Sequence, residues 1–191
     1  MQVFSKSENR STVNWESKLE GVPGGITVAV VDLSQALVSD GTPVGKDTNG
    51  LYHVVKTARV KTDTGASDAV YPVEKGHNFK KGDFVTNKLG AKAYAITAID
   101  ASAADKDVIT LGTTLGVAVK AGDVLFEAKA ESATTTSAFK YEPWGMVGTS
   151  FDVVIGDNHL TDCVVRGSVR ESNIPPIHAD IKARLPLIRF V

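Results

Sequence analysis

His159 stands between Asp157 and Asp162, with Asp152 shortly upstream, and an imidazole among carboxylates can hold a metal ion or supply a general acid and base. A hydrolase built on Asp157, His159 and Asp162 is the sharpest catalytic reading of the chain. The spacing matches no metal loop, however, and Asp157-Asn158 is good turn chemistry in its own right. Ser150 and Ser168 lack the Gly-x-Ser-x-Gly context of a nucleophile elbow and have no histidine paired with them in sequence. Cys163 lies in an apolar strand pattern without a CxxC or cationic neighbour, which reads as a small buried hydrophobe. Gly21, Gly24 and Gly25 follow a polar stretch and lead to no Gly-Lys-Ser/Thr ending, so they spell no phosphate cradle. No catalytic, cofactor-binding or metal residue is assigned, and the expectation is a protein that is not an enzyme.

Binding chemistry is better represented. Lys75, Lys80 and Lys81 around His77 and Phe79 can meet an anionic partner, although a charge run is more often a solvated face. Lys81-Gly82-Asp83 looks like a short adhesive tripeptide, but Gly-Asp recurs at Gly122-Asp123, which favours a turn. Phe139, Tyr141 and Trp144 cluster as a sugar platform would, giving a carbohydrate-binding or adhesion module with a host glycan as partner. The same rings serve more often as a core or interface anchor. From Arg166 onward, five basic residues (Arg166, Arg170, Lys182, Arg184, Arg189) face two acidic ones (Glu171, Asp180). That basic, apolar end must dock on its own body or on a partner, because chain ends fray unless tied down.

The whole chain is close to neutral, with 22 acidic and 21 basic groups in 191 residues. This excludes nucleic-acid binding through a general phosphate-neutralising surface, which needs a marked excess of Lys and Arg. One cysteine cannot bridge internally, and four dispersed histidines build no zinc ribbon. No apolar run is long enough to span a bilayer, and Met1 to Glu8 lacks the apolar core of a signal peptide, so a soluble protein without membrane contact is expected. The length suffices for one hydrophobic core without staples.

The elements that must carry these residues are strands. Val occurs 25 times and Thr 17, against 11 Leu and 8 Glu, and β-branched side chains suit a pleated sheet. The fold class is mainly β: a small barrel or sandwich core with an extended N-terminal arm and a short C-terminal helix. Residues 1–22 read as a polar arm with isolated apolar positions. Pro23-Gly24-Gly25 turns into the run Ile26–Val31, Asn49-Gly50 is a tight-turn signal, and Leu51–Val60 reads as one strand. Within a core spanning 23–135, strands are expected at Phe84-Val85, Tyr94–Ile99, Asp107–Leu111, Leu115–Val119 and Val124-Leu125, a spacing typical of barrels. The run Ser132–Ser137 marks a boundary. The remainder, 136–191, is expected to hold a hairpin of Phe151–Ile155 with Cys163–Val165, then a helix over Ala179–Leu185 stopped by Pro186, then an apolar tail.

Two stretches look familiar together: Gly41-Thr42-Pro43-Val44-Gly45-Lys46-Asp47 with Gly50-Leu51-Tyr52, and Val169-Arg170-Glu171-Ser172-Asn173-Ile174-Pro175-Pro176 followed by Ile181-Lys182-Ala183-Arg184-Leu185-Pro186-Leu187-Ile188-Arg189-Phe190. With Lys81-Gly82-Asp83 and the Leu115-Gly116 to Gly122-Asp123 stretch between them, the chain resembles head fiber and capsid decoration proteins of tailed bacteriophages and prophages, particularly those of gut Bacteroidales. The resemblance implies a non-enzymatic virion component, made in the bacterial cytoplasm and placed on the outer capsid surface. It further implies self-association, commonly as a homotrimer, and attachment to the major capsid protein. It carries over no catalytic residue and no contact position.

Overall fold

A computed structural model describes residues 14–191, so most of the expected arm, residues 1–13, lies outside the described part. The chain is mainly β, its curled sheets forming a half-barrel and sandwich with one short helix near the C-terminus. It is laid down in three blocks. The first supplies β1 (Trp15–Gly21), β2 (Ile26–Val28), β3 (Leu37–Val38), β4 (Pro43–Lys46) and β5 (Tyr52–Val54). The second supplies β6 (Thr57–Arg59), β7 (Val70–Val73), β8 (Phe84–Thr86), β9 (Tyr94–Asp100), β10 (Asp107–Leu111) and β11 (Val124–Ala128). The third supplies β12 (Pro143–Val147), β13 (Phe151–Asp152), β14 (His159–Thr161), β15 (Cys163–Val169), α1 (Ala179–Arg184) and β16 (Ile188–Phe190).

The middle block closes on itself. Its strands follow the order β6-β11-β8-β9-β10-β7, and the two ends meet where Val60 bridges Val73 and the Lys61 amide donates to the Pro72 carbonyl at 2.8 Å. Tyr71, Phe79, Val85, Ile96, Ile109 and Leu125 fill the ring. The two Gly-Asp phrases are the turns expected of them, with Gly82 and Gly122 both at positive φ, where glycine alone avoids a steric penalty. Leu115–Val119 is not a strand. Leu115 and Val119 are buried plugs of the barrel, and Val119 reaches the ladder only as a bridge to Thr64.

The outer blocks share one sheet, ordered β1-β15-β12-β4-β5-β2-β14, with β16 parallel to β15. The sheets are therefore not divided at residues 135/136, since β4 and β12, from either side of that loop, are neighbours. Only Asp162 separates β14 from β15, so one bent segment provides both an end and the second strand of the path, which rolls the sheet around Val28, Val44, Val54 and Val147. For the same reason the expected hairpin of Phe151–Ile155 with Cys163–Val165 does not form. Phe151 and Asp152 pair instead with Val38 and Leu37, and β15 pairs with β1, β12 and β16.

Residues 15–21, expected within the arm, form an edge strand on β15. Trp15 buries its ring and donates from Nε1 to the Val147 carbonyl at 3.3 Å, whereas Glu16, Leu19 and Glu20 stay in solvent. An edge strand with one anchored side chain has the same polar composition as an arm, so composition alone misreads it. The expected strand Leu51–Val60 is two strands in two sheets. The Val55 amide donates to Pro43 in the outer sheet, and the next residue, Lys56, accepts from the Glu127 amide in the barrel system. The chain crosses between the two bodies at Val55-Lys56.

A third cluster seals that crossing: Trp15, Val55, Phe126, Phe139, Ile181 and Ile188, among others. α1 starts where His178 Nδ1 accepts from the Asp180 amide, and it buries Ile181 in this cluster. The apolar tail thus docks on its own body. Among the described residues no helix is long and apolar enough to cross a membrane.

Candidate functional site

The residues singled out for catalysis are not brought together. His159 stacks flat on Phe151, 4.1 Å between centroids, while Asp162 faces Lys18 at 3.4 Å and Asp157 sits exposed in the turn after Val154. Among the described residues no group of three or more His, Cys, Asp or Glu side chains is placed to hold a metal. Ser150 exchanges hydrogen bonds with Asp40, donating to its carboxylate and accepting from its amide, both at 2.8 Å. Cys163 is buried between β1 and β12, and burial pushes its thiol up to about 12, which keeps it protonated and unreactive.

The basic stretch around His77 is also dispersed. Phe79 fills the barrel, Lys75 pairs with Asp107 at 2.8 Å, and Lys80 donates to the Val31 carbonyl at 3.0 Å. Burial holds His77 below the usual imidazole range, against the pull of Asp107. The three aromatic rings split as well. Phe139 is buried against Phe126 at 4.9 Å, Tyr141 stacks on His53 at 4.0 Å, and Trp144 is 48% exposed beside Tyr52. Of the basic C-terminal residues, Arg170 pairs with Glu16, Arg184 with Glu142 and Lys182 with Glu171.

The densest buried chemistry lies at the crossing between the bodies. Lys56 has a side chain only 2% exposed, and its Nζ lies 2.8 Å from Asp83 Oδ2 and 3.5 Å from Glu127 Oε1. Lys140 Nζ donates to the same Glu127 oxygen at 2.8 Å. Each member has a structural reason to be there. Glu127 extends β11 opposite Val85, on the face that sends Leu125 into the barrel. Asp83 closes the turn before β8 by accepting from the Lys80 amide. Burial pushes the Glu127 carboxyl up to about 7, against the lowering effect of Lys56 and Lys140. Lys56 also lines a cleft of about 270 Å³ between the bodies, together with Arg59, Glu74, His77 and Pro176.

Reading the sequence for pockets of chemistry passes over this group. The available signal was a lone lysine inside the apolar run Leu51–Val60 and a lone glutamate inside Val124–Ala128, since an isolated charge in a strand-like run is buried only if paired.

A second feature faces outward. β3 and β13 form a separate two-stranded ribbon, extended by a hydrogen bond from the Val153 amide to the Ala36 carbonyl. Beyond its end, Val154 is 58% and Ile155 94% exposed, and Leu37 on the ribbon is 50% exposed. Compared with protein-family models, with curated proteins and with solved structures, the chain finds no match.

Proposed function

We propose that the chain is a non-enzymatic structural protein of a phage virion, a decoration or head fiber subunit on the outer capsid surface. The sequence phrases quoted above support the family. The observation that carries the attachment is the turn between β13 and β14, where Val154 and Ile155 leave apolar side chains exposed. An isoleucine held in water at a turn gains by insertion into a partner's surface, and the reading assigns that surface to the major capsid protein. Many copies in symmetric array then convert weak contacts into firm attachment, and a homotrimer concentrates three such turns on one site.

Co-sedimentation with assembled shells and with isolated capsid subunits tests this. The wild-type protein should pellet with shells and not bind isolated subunits. Ile155→Asp should weaken shell binding by roughly ten- to a hundredfold per contact, the equivalent of one buried aliphatic side chain. Equal binding of both proteins, or binding to isolated subunits as well, contradicts the attachment mode.

A further inference from the structure

We propose that Lys56 and Asp83 become joined by an intramolecular isopeptide bond, with Glu127 carrying the proton. The three groups stand in the arrangement such a reaction needs: an amine 2.8 Å from one carboxyl oxygen and 3.5 Å from a second, separate carboxyl group. All three are withdrawn from water, with side-chain exposures of 2% for Lys56, 12% for Asp83 and 2% for Glu127. Glu127 Oε2 is buried without a hydrogen-bond partner, an oxygen left over by the ion pairs and suited to receive a proton.

Turn formation does not explain why Lys56 is here. The sister turn at Lys120–Asp123 is built by the same bond, from the Lys120 amide to Asp123 Oδ2 at 2.8 Å, and its aspartate is exposed. The Asp83 turn is the copy that meets a buried lysine. In water an amine and a carboxylic acid ionise and stay apart. Burial removes the solvation that stabilises the ions, and the fixed contact replaces a bimolecular encounter.

The step balances without a co-reactant. Glu127 takes a proton from the Lys56 ammonium and passes it to the Asp83 carboxylate, and the freed amine attacks Cγ, forming the N–C bond. Glu127 then takes a second proton from that nitrogen and delivers it to the departing hydroxyl as the C–O bond breaks, so ammonium and carboxylate become an amide and one water and Glu127 is regenerated. The product ties residues 27 apart in sequence, fastening the crossing segment to the start of β8. This inference stands independently of any capsid.

Intact mass spectrometry of the denatured full-length protein, followed by a tryptic fragment map, reads the bond directly. The wild-type protein should be lighter than its sequence by one water, with a branched peptide joining Lys56 to Asp83. Glu127→Gln, shown to be folded by near-ultraviolet circular dichroism, should have the full mass and lose the branched peptide. A wild-type protein of full sequence mass overturns the proposal. So does a missing water mapped to a succinimide at Asp40-Gly41, or a branch at Glu127 in place of Asp83. A folded Glu127→Gln that cross-links as fully as the wild type overturns the role of Glu127.

Discussion

Phe126→Ala should lower the free energy of unfolding by about 3–5 kcal/mol, the cost of removing a fully buried aromatic ring from a site that cannot collapse. The expectation rests on where β11 sits. It belongs to the barrel, pairing with β6 and β8, yet it alternates its side chains between two cores. Leu125 points into the barrel and Phe126 into the crossing cluster, where its ring lies 4.9 Å from both Phe139 and His178. Phe139 comes from the loop after β11, and His178 caps α1, so one ring ties β11 to two other parts of the chain. A urea titration followed by tryptophan fluorescence should show the midpoint shift, and a loss below about 1 kcal/mol would mean that the junction closes over the gap.

The second large effect is a pH dependence centred on Glu127. Its folded-state carboxyl, at about 7, holds a proton far more tightly than the unfolded chain does. A group of this kind stabilises the fold fully below its unfolded value, and that contribution is lost as pH rises through about 7. Integrated over the shift, the loss is about 3 kcal/mol. Lys56, Asp83 and Lys140 face this carboxyl; Lys140 keeps its charge beside Glu127 whether or not Lys56 and Asp83 are joined, and it moderates the effect without reversing it. His77 and His178 act in the opposite sense, because burial lowers both, so their neutral forms favour the fold and stability falls as pH drops below the usual imidazole range. Because Glu127→Gln also lacks the proposed cross-link, which adds an offset independent of pH, the carboxylate is isolated by how the difference between variant and wild type changes with pH. The glutamine variant should gain about 3 kcal/mol on the wild type between mildly acidic and mildly basic pH. Parallel stability curves would place the Glu127 proton outside this range.

The strand content and the C-terminal helix were legible because they rest on local rules. Runs bounded by Gly and Asp gave β9, β10 and β11, and the pattern Ala179–Leu185 stopped by Pro186 gave α1. What stayed hidden depends on partners distant in sequence. Leu51–Val60 is a continuous run whose hydrogen bonding changes sheets at Lys56, which no periodicity reveals. β1 looks like an arm until β15 offers it an edge. At the site level, Asp157, His159 and Asp162 attract attention by proximity in sequence, and Phe151 and Lys18 take two of them in different directions. Lys56, Asp83, Glu127 and Lys140 come from four separate segments, and only the pairing of β11 with β6, with β8 and with the stretch at Phe139 assembles them.

Mass spectrometry of density-purified particles released by prophage induction, comparing peptides of this chain with those of the major capsid protein, tests the virion assignment most directly. The account predicts its presence in stoichiometric proportion to the capsid protein. Absence from the particles, with the protein abundant in the same lysate, would contradict it and bring forward the adhesion reading at the half-exposed Trp144.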